Sequence, residues 1–262
     1  MSKNDSTRKS KRRSSLAAML RGLKCYARVP ATLTRHGLWR YQLLPAFTSL
    51  VLSTLMVIAM YWSSRGLAGW VDQRIVLPVA WLDAAVTWAA GILAFVAMVL
   101  GFVFLHKHIV IVALAPYLSK IAETITRAEA GPQPNTEMVG LATFKRSAII
   151  NTRSILLEII TTLSLIALGF VIPVLSPFTS LLVILVEARF AGNGLMDFPL
   201  EYRGLSVIES IEWSRTRKAT ATGVGIGYLL LMLIPIVGWM FAPTFGTVAG
   251  TLQSLDELKE AD

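Results

Sequence analysis

The chain has 262 residues, of which 54% are hydrophobic and only 16% are charged, well below the ~25% typical of soluble globular proteins. This composition excludes an ordinary soluble domain and predicts an all-α integral membrane protein. The net charge is +9, and the single cysteine, Cys25, excludes an intramolecular disulfide and a cysteine-based metal cluster. We therefore expect a membrane protein that needs no cofactor or metal.

The first 40 residues are strongly basic and hold eleven of the 25 Lys and Arg residues but only one acid. Such a run can bind nucleic acid, but beside a hydrophobic domain it favours anionic lipid head groups, worth ~1 kcal/mol per basic residue near the surface. Anionic lipids, and not nucleic acid, are the expected partners. Apolar residues at three- and four-residue spacings over 14–29 predict a helix lying in the membrane interface, which Pro30 ends.

A short basic segment, residues 35–40, precedes the first long apolar helix. A glycine just before a helix leaves free backbone N–H groups, and helix N-termini attract anions. Arg40 could add bidentate hydrogen bonds to an oxyanion, and Arg35 a second positive charge. The segment is therefore either an anchor for lipid phosphates at the membrane surface, which the chemistry alone favours, or an anion-binding site in which Gly37, Arg40 and Arg35 hold the ion.

Two long apolar helices follow this segment. The first covers about residues 43–62 and is bracketed by tryptophan and tyrosine, as is typical at membrane interfaces. The second covers about 84–105, and helix character continues to residue 129, before a Gly-Pro turn at 131–134. We expect one long helix whose C-terminal part leaves the membrane. His106 and His108 lie two residues apart, on different faces of this helix, and cannot hold a metal together.

The second half of the chain holds two apolar stretches, about 154–186 and 219–252, each with two prolines near its midpoint. These prolines are Pro173 and Pro177 in the first stretch, and Pro235 and Pro243 in the second. Proline lacks an N–H and blocks the helix, so each stretch is predicted to form a hairpin of two shorter helices. Arms of about 16–19 residues are at or below the ~20 needed to cross hydrocarbon. Either the hairpins turn back inside the bilayer, which arm length favours, or they cross it.

The distribution of Lys and Arg predicts the topology. By the positive-inside rule, the N-terminus, residues 106–153 and residues 187–218 are cytoplasmic, and residues 63–83 lie outside. Both hairpins then begin and end on the cytoplasmic side. Pro173 and Pro235 occupy matching places in the two hairpins, either by chance or because paired interrupted segments mark a transport pathway.

Glu158 is the only acid well inside an apolar run, and burying a lone carboxylate in lipid costs several kcal/mol. It joins Pro173 and Pro235 as a pathway candidate, unless it only reaches the head groups from its place near the start of the arm. The sequence contains no catalytic constellation, so we expect no enzyme. A histidine or a second carboxylate beside Glu158 in the structure would reopen that question.

Glycines recur at four-residue spacing in the second hairpin. The pairs are Gly223 with Gly227, and Gly246 with Gly250. Such faces let helix backbones approach closely in lipid, so we expect helix packing here and not a phosphate-binding loop.

Five acids and five bases lie in residues 187–218, between the hairpins. We expect them to form a salt-bridged clamp, in which Asp197 caps a helix or pairs with Arg203, Arg215 or Arg217. A gate or an ion relay is the alternative.

Residues 196–252 resemble a known family. The run MDFPLEYRGLS at 196–206, the segment LIPIVG at 233–238, Ala242-Pro243 and VAGT at 248–251 are similar to the sulfate-permease CysZ family and the wider etoposide-induced-protein-like domain. The resemblance covers most of residues 30–255. It implies an all-helical inner-membrane protein with two long spanning helices and two hemi-penetrating hairpins, which forms homo-oligomers and takes up sulfate for cysteine synthesis.

In that family a Gly-Leu-Arg segment just before the first long helix binds sulfate. Gly37-Leu38-Trp39-Arg40 falls at that place: Gly37 and Leu38 match, Trp39 replaces the arginine, and Arg40 could take over its role. The resemblance therefore implies that this segment is a sulfate site.

We accordingly predict a multi-pass protein of the bacterial inner membrane, with cytoplasmic termini, that moves sulfate or a related small oxyanion into the cytoplasm. Its domains are a basic tail with an interfacial helix (1–29), a CysZ-like membrane domain (30–252) and an acidic C-terminal tail (253–262). The alternative is a non-transporting scaffold or lipid-shaping protein built on the same domain.

Overall fold

The computed structural model describes residues 15–74, 80–132 and 140–260, and all regular elements in these ranges are helical. In chain order they are α1 (residues 15–24), α2 (Val29–Arg35), α3 (Trp39–Arg74), α4 (Ala80–Ala130), α5 (Gly140–Val171), α6 (Ser176–Tyr202), α7 (Val207–Thr216), α8 (Lys218–Met232) and α9 (Val237–Lys259). Short 3-10 turns, Cys25–Arg28 and Pro173–Leu175, join α1 to α2 and α5 to α6. The predicted all-α fold is confirmed. Most of the basic tail and the end of the 131–134 turn lie outside the described residues.

Within the described residues, four segments are long and apolar enough to cross a membrane, namely Trp39–Gly66, His106–Ala130, Ala142–Val171 and Pro173–Tyr202. The segment in α5 is only 11% buried inside the protein, whereas the one in α4 is 61% buried. Apolar surface that the protein leaves uncovered on several long helices is suited to lipid. The chain is therefore a multi-pass helical membrane protein, in which the apolar residues of His106–Ala130 mainly form the core.

The core is built around α4, which is a single helix of 51 residues, as predicted. Ile111 and Leu114 of α4 pack with Leu195 of α6, and with Val224 and Tyr228 of α8. A second apolar cluster joins the N-terminal segment to α4 and α9. Both hairpins are thus packed against one central helix.

The N-terminal segment differs from the prediction. Pro30 does not end a helix but lies in the first turn of α2, where the N–H that proline lacks is not needed, and its fixed φ suits a helix. In addition, α1 packs against another helix and not only against lipid. Gly22 lies against the backbone of α8, where a Cβ on Gly22 would be 2.5 Å from the Thr220 carbonyl oxygen. Leu16 and Leu20 of the predicted apolar face nevertheless stay exposed, so the placement of this helix in the membrane interface stays a prediction.

The C-terminal acidic residues belong to a helix, since α9 continues across Gln253 to Lys259. The Cys25 thiol donates to Gln253 Oε1 (3.0 Å), and Arg28 Nη1 lies 2.6 Å from Asp256 Oδ2. The two ends of the described chain are thereby fastened to each other.

Both predicted hairpins are present, but their prolines act differently. The break between α5 and α6 lies at Ile172–Leu175, and Pro177 sits in the first turn of α6. The break between α8 and α9 lies at residues 233–236, where Ile236 has φ +63°. The prediction that Pro243 helps to break the second stretch is wrong, because this proline lies inside α9. A helix held by packing on both sides tolerates one missing hydrogen bond, and Pro243 is buried there.

The arms of the first hairpin are longer than expected, with 32 residues in α5 and 27 in α6, because both helices continue into polar sequence. The second hairpin has a short arm, the 15-residue α8. Its register against α6 is fixed by two antiparallel contacts, Gly192 with Ala221 and Gly225 with Ala188. Met232 then lies level with residue 181. The first hairpin therefore extends about five residues, roughly 7–8 Å at 1.5 Å per residue, beyond the second.

This register predicts a difference in depth between the hairpin tips. A membrane-impermeant maleimide added outside intact cells should label a cysteine at Val174 more readily than one at Leu233, although both native side chains are exposed, at 82% and 74%. Cys25 should add little background, since burial raises the pKa of its thiol to about 11 and keeps it protonated at neutral pH. Equal labelling of the two tips, or stronger labelling at 233, would contradict the register.

Candidate functional site

Three consecutive polar residues of α4 are almost completely buried: His106, Lys107 and His108 are 0%, 1% and 3% exposed. Consecutive side chains on a helix point ~100° apart, so this turn must be enclosed on several sides. Their partners show that α3 covers one side, and α5 and α6 the other. As predicted, the two histidines lie on different faces. In the described part of the chain, no cluster of His, Cys, Asp or Glu is suited to a metal.

The Lys107 ammonium lies between two buried carboxylates. Its Nζ contacts Glu158 Oε1 from α5 and Glu187 Oε2 from α6. A buried charge is tolerated when it is paired and hydrogen-bonded, and one lysine here joins three helices in that way. Glu158 therefore does not reach the lipid head groups, which was the alternative considered from the sequence.

His108 connects Glu158 to Asn151. Its Nδ1 is 3.1 Å from Asn151 Oδ1, and its Nε2 is 2.9 Å from Glu158 Oε2. The Asn151 amide nitrogen donates to the Ser147 carbonyl (2.8 Å), so its oxygen is the acceptor and His108 Nδ1 carries a proton. The hydrogen bond between His108 Nε2 and Glu158 Oε2 needs a second proton, which is carried by either His108 Nε2 or Glu158.

This second proton sets the charge of the group, which we call the buried charged cluster: Lys107, His108, Glu158 and Glu187. With the proton present, on either atom, the four side chains carry no net charge. When it leaves, the cluster carries −1. The geometry therefore places one shared proton between His108 of α4 and Glu158 of α5.

His106 links the core in the opposite direction, towards α3 and α9. Its Nε2 is 2.6 Å from Ser53 Oγ, which donates to the Ser49 carbonyl (2.6 Å). Ser49 Oγ in turn donates to the Trp239 carbonyl (2.5 Å), and the His106 ring lies 5.0 Å from that of Phe102. Polar contacts thus join α4 to α3, and α3 to α9.

Asp197 is held by a partner that the sequence did not identify. Arg146 of α5 donates to both of its carboxylate oxygens, at 2.8 and 3.0 Å, and also to the Leu205 carbonyl at 2.5 Å. Ser210 of α7 donates to the same carboxylate. The predicted pairing with an arginine at 203–217 is therefore wrong, because a residue 51 positions away takes that place. The contact does clamp α5, α6 and α7 together.

The backbone N–H groups of the predicted anion site were expected to be free, but two of them are hydrogen-bonded within the protein. Gly37 forms the turn between α2 and α3 with φ +62°. The N–H groups of Gly37 and Leu38 donate to the carbonyls of Thr34 (3.2 Å) and Leu33 (2.9 Å). These two amides are therefore not free, since they close the end of α2.

The two arginine side chains of the same site stay at the surface, whereas Leu38 is buried in the second apolar cluster. Arg40 is exposed and its guanidinium lies 4.9 Å from the centre of the Tyr41 ring, while Arg35 pairs with Glu129 at 3.4 Å. An anion at this turn would therefore be held by Arg40 more than by backbone amides. The site remains a prediction.

The pathway candidates are not brought together. Glu158 lies just past the middle of α5, about 20 Å along the helix from its end at Val171, taking 1.5 Å per residue. Pro173 and Pro235 lie exposed at the two tips. The sequence reasoning missed Lys107, His108 and Glu187. A usable signal was the polar triplet 106–108, which interrupts an otherwise apolar helix.

These features define a class: a multi-pass, all-helical membrane protein with two proline-broken hairpins and charged side chains buried between its helices. A family model described as Sulfate transporter CysZ/Etoposide-induced protein 2.4 matches residues 25–243. The chain belongs to this family. None of the curated proteins compared with the chain matches it.

Proposed function

We propose that this protein carries sulfate, or a related small oxyanion, across the bacterial inner membrane into the cytoplasm. The observation that carries the proposal is the buried charged cluster, which lies between α4 and the two arms of the first hairpin in a member of a sulfate-transporter family. Ionisable groups buried in a membrane domain are costly and usually mark an ion or proton pathway. Cytoplasmic termini and a homo-oligomer are part of this proposal.

The cluster favours ion-coupled over passive movement. Sulfate carries two negative charges, and an inside-negative potential opposes import by ~2.3 kcal/mol per charge per 100 mV. A proton that moves inward with the anion reduces this opposition. The proton shared by His108 and Glu158 is suited to that role, because its loss changes only one charge in the cluster.

Sulfate uptake into proteoliposomes tests the proposal. Wild-type protein should take up sulfate faster under an inward proton gradient, and Glu158→Gln should slow uptake by about tenfold or more, as expected when a charged hydrogen bond is lost. Uptake by Glu158→Gln at the wild-type rate would remove the cluster from the mechanism. No uptake by the wild type would refute transport itself.

A separate variant tests the predicted anion site at residues 35–40. Arg40→Ala should also slow uptake, whereas Arg65→Ala should not. The control is matched, because Arg65 is likewise exposed on α3 and lies 5.2 Å from the centre of the Tyr61 ring. Equal flux in wild type and Arg40→Ala would remove the predicted site.

One observation favours a non-transporting, lipid-shaping protein as a second candidate. The tip of the first hairpin exposes large apolar side chains, among them Phe170 and Val174. A wedge of this kind in one leaflet favours curved bilayers. Stronger flotation with small than with large liposomes, together with an absence of anion flux, would support this function over transport.

A further inference from the structure

A basic cavity of about 240 Å³ lies between α5, α6, α7 and the start of α8. Four cationic side chains line it: Arg153 from α5, Arg189 from α6, Arg215 from α7 and Lys218 from α8. The carboxylate of Asp197 also lines the cavity, but Arg146 already binds both of its oxygens. The lining therefore keeps a strong positive charge.

These four cations have no acidic partners. Among the described residues, none of them forms an ion pair. Other basic residues at the same end of the molecule do: Arg28 lies 2.6 Å from Asp256, and Arg217 lies 3.3 Å from Glu257. Like charges gathered around one cavity repel each other, so an anion placed between them would be strongly attracted.

Two buried polar atoms of the lining residues also lack partners. They are Arg189 Nε, an N–H donor, and Asn193 Oδ1. Buried polar groups are nearly always hydrogen-bonded, and an exception calls for an ion, a water or a ligand to complete it. An oxyanion would accept from the Arg189 donor, and a water could join the Asn193 oxygen to it.

We propose that the basic cavity is a second oxyanion site, which binds a tetrahedral dianion of the sulfate or phosphate class. Guanidinium groups offer paired N–H donors whose geometry matches the oxygens of such an ion. The cavity is smaller than the ~300–1,000 Å³ pockets that hold organic ligands, which favours a small inorganic ion. It shares no residue with the predicted site at 35–40.

The cavity adjoins the buried charged cluster along the chain. Arg153 precedes Glu158 by five residues on α5, and Arg189 follows Glu187 by two residues on α6. In the predicted topology this is the cytoplasmic side of the cluster. If the protein imports the anion as proposed, the anion leaves through this site. Only this exit role rests on the proposed function. Binding itself requires no transport.

Equilibrium binding of radiolabelled sulfate to the full-length protein, purified in neutral detergent, tests the site. Measurements are made in an Arg40→Ala background, so that the predicted first site does not contribute. Arg189→Gln and Arg215→Gln should each weaken binding by about tenfold to a hundredfold, as expected for one charged hydrogen bond. Lys145→Gln is the control, because Lys145 is an exposed cation of α5 outside the cavity. Arg215 is itself exposed, so its variant should fold.

The experiment also distinguishes a free inorganic anion from a lipid head group as the occupant of the cavity. Phosphate should compete with sulfate at the same site. If neither arginine variant changes sulfate affinity, the proposal is overturned. It is also overturned if native mass spectrometry shows an Arg189-dependent phosphatidylglycerol that excess sulfate does not displace, since a lipid head group then occupies the cavity. Sulfate binding without uptake into proteoliposomes would refute transport but support the site.

Discussion

Replacing Lys107 with methionine is expected to destabilise the protein by about 3–5 kcal/mol, because it leaves buried carboxylates without their cation. Glu158 and Glu187 would then face each other between α5 and α6 with no ammonium between them. The free energy of unfolding, measured by denaturant titration in detergent, checks this expectation. Sulfate uptake by the same variant should be abolished.

The stability and transport effects of Lys107 can be separated. A triple variant, Lys107→Met with Glu158→Gln and Glu187→Gln, removes all three charges and should recover most of the lost stability, but no transport. Lys120→Met is the control for loss of a lysine: its pair with Glu123 (3.0 Å) is at the surface, so the cost should be about 0–1 kcal/mol. If the triple variant transported sulfate like the wild type, the cluster would have a structural role alone.

The second large effect is expected at Gly225. A Cβ there would lie 1.6 Å from the Ala188 carbonyl oxygen, and one on Gly192 would lie 1.8 Å from that of Ala221. The backbones of α6 and α8 are thus in direct contact, and Gly225→Ala must push them apart. We expect a destabilisation of about 1–3 kcal/mol or more, seen as a lower unfolding midpoint in detergent.

Gly66→Ala is the matched control for this substitution. A Cβ on Gly66, also within a helix, meets nothing within 4 Å. Alanine should stabilise α3 there by roughly 0.5–1 kcal/mol, because glycine is less favourable inside a helix. Similar losses of stability in the two variants would show that the α6–α8 contact is not the cause.

The prolines show what local sequence rules can and cannot predict. Both hairpins were predictable, since the turns at Pro173 and Pro235 follow from the missing N–H and the clash with the preceding turn. The same rule failed at Pro30, which begins a helix, and at Pro243, which lies inside one. Whether a proline starts, bends or ends a helix depends on the packing around it, which single-residue rules do not contain.

The glycine spacing was informative, although the packing partners could not be predicted. A Cβ on Gly223 would lie 1.9 Å from the Met19 carbonyl oxygen, and one on Gly227 would lie 2.2 Å from the Tyr26 ring. The predicted face therefore packs closely, as expected, but against the N-terminal segment. The contact with α6 uses Gly225, on a different face of α8 that four-residue spacing does not reveal.

The charged cluster was predictable only through Glu158. An isolated acid in an apolar run is visible in the sequence, but its partner Lys107 lies 51 residues away and Glu187 lies 80 residues from that lysine. Neither periodicity nor spacing reports contacts over such separations. The presence of His108 and Glu187 beside Glu158 also meets the condition that we set for reconsidering catalysis. The absence of enzymatic activity therefore stays a prediction.

The joining of the two chain ends has a consequence for biogenesis. Cys25 and Arg28 find their partners in α9, and Gly22 lies against α8, so these contacts form only after nearly the whole polypeptide has been translated. Until then the N-terminal segment can pack within its own molecule only on α4. In the predicted topology, the anionic lipids of the cytoplasmic leaflet would then attract this basic segment and hold the growing chain at the membrane until the final helix is made.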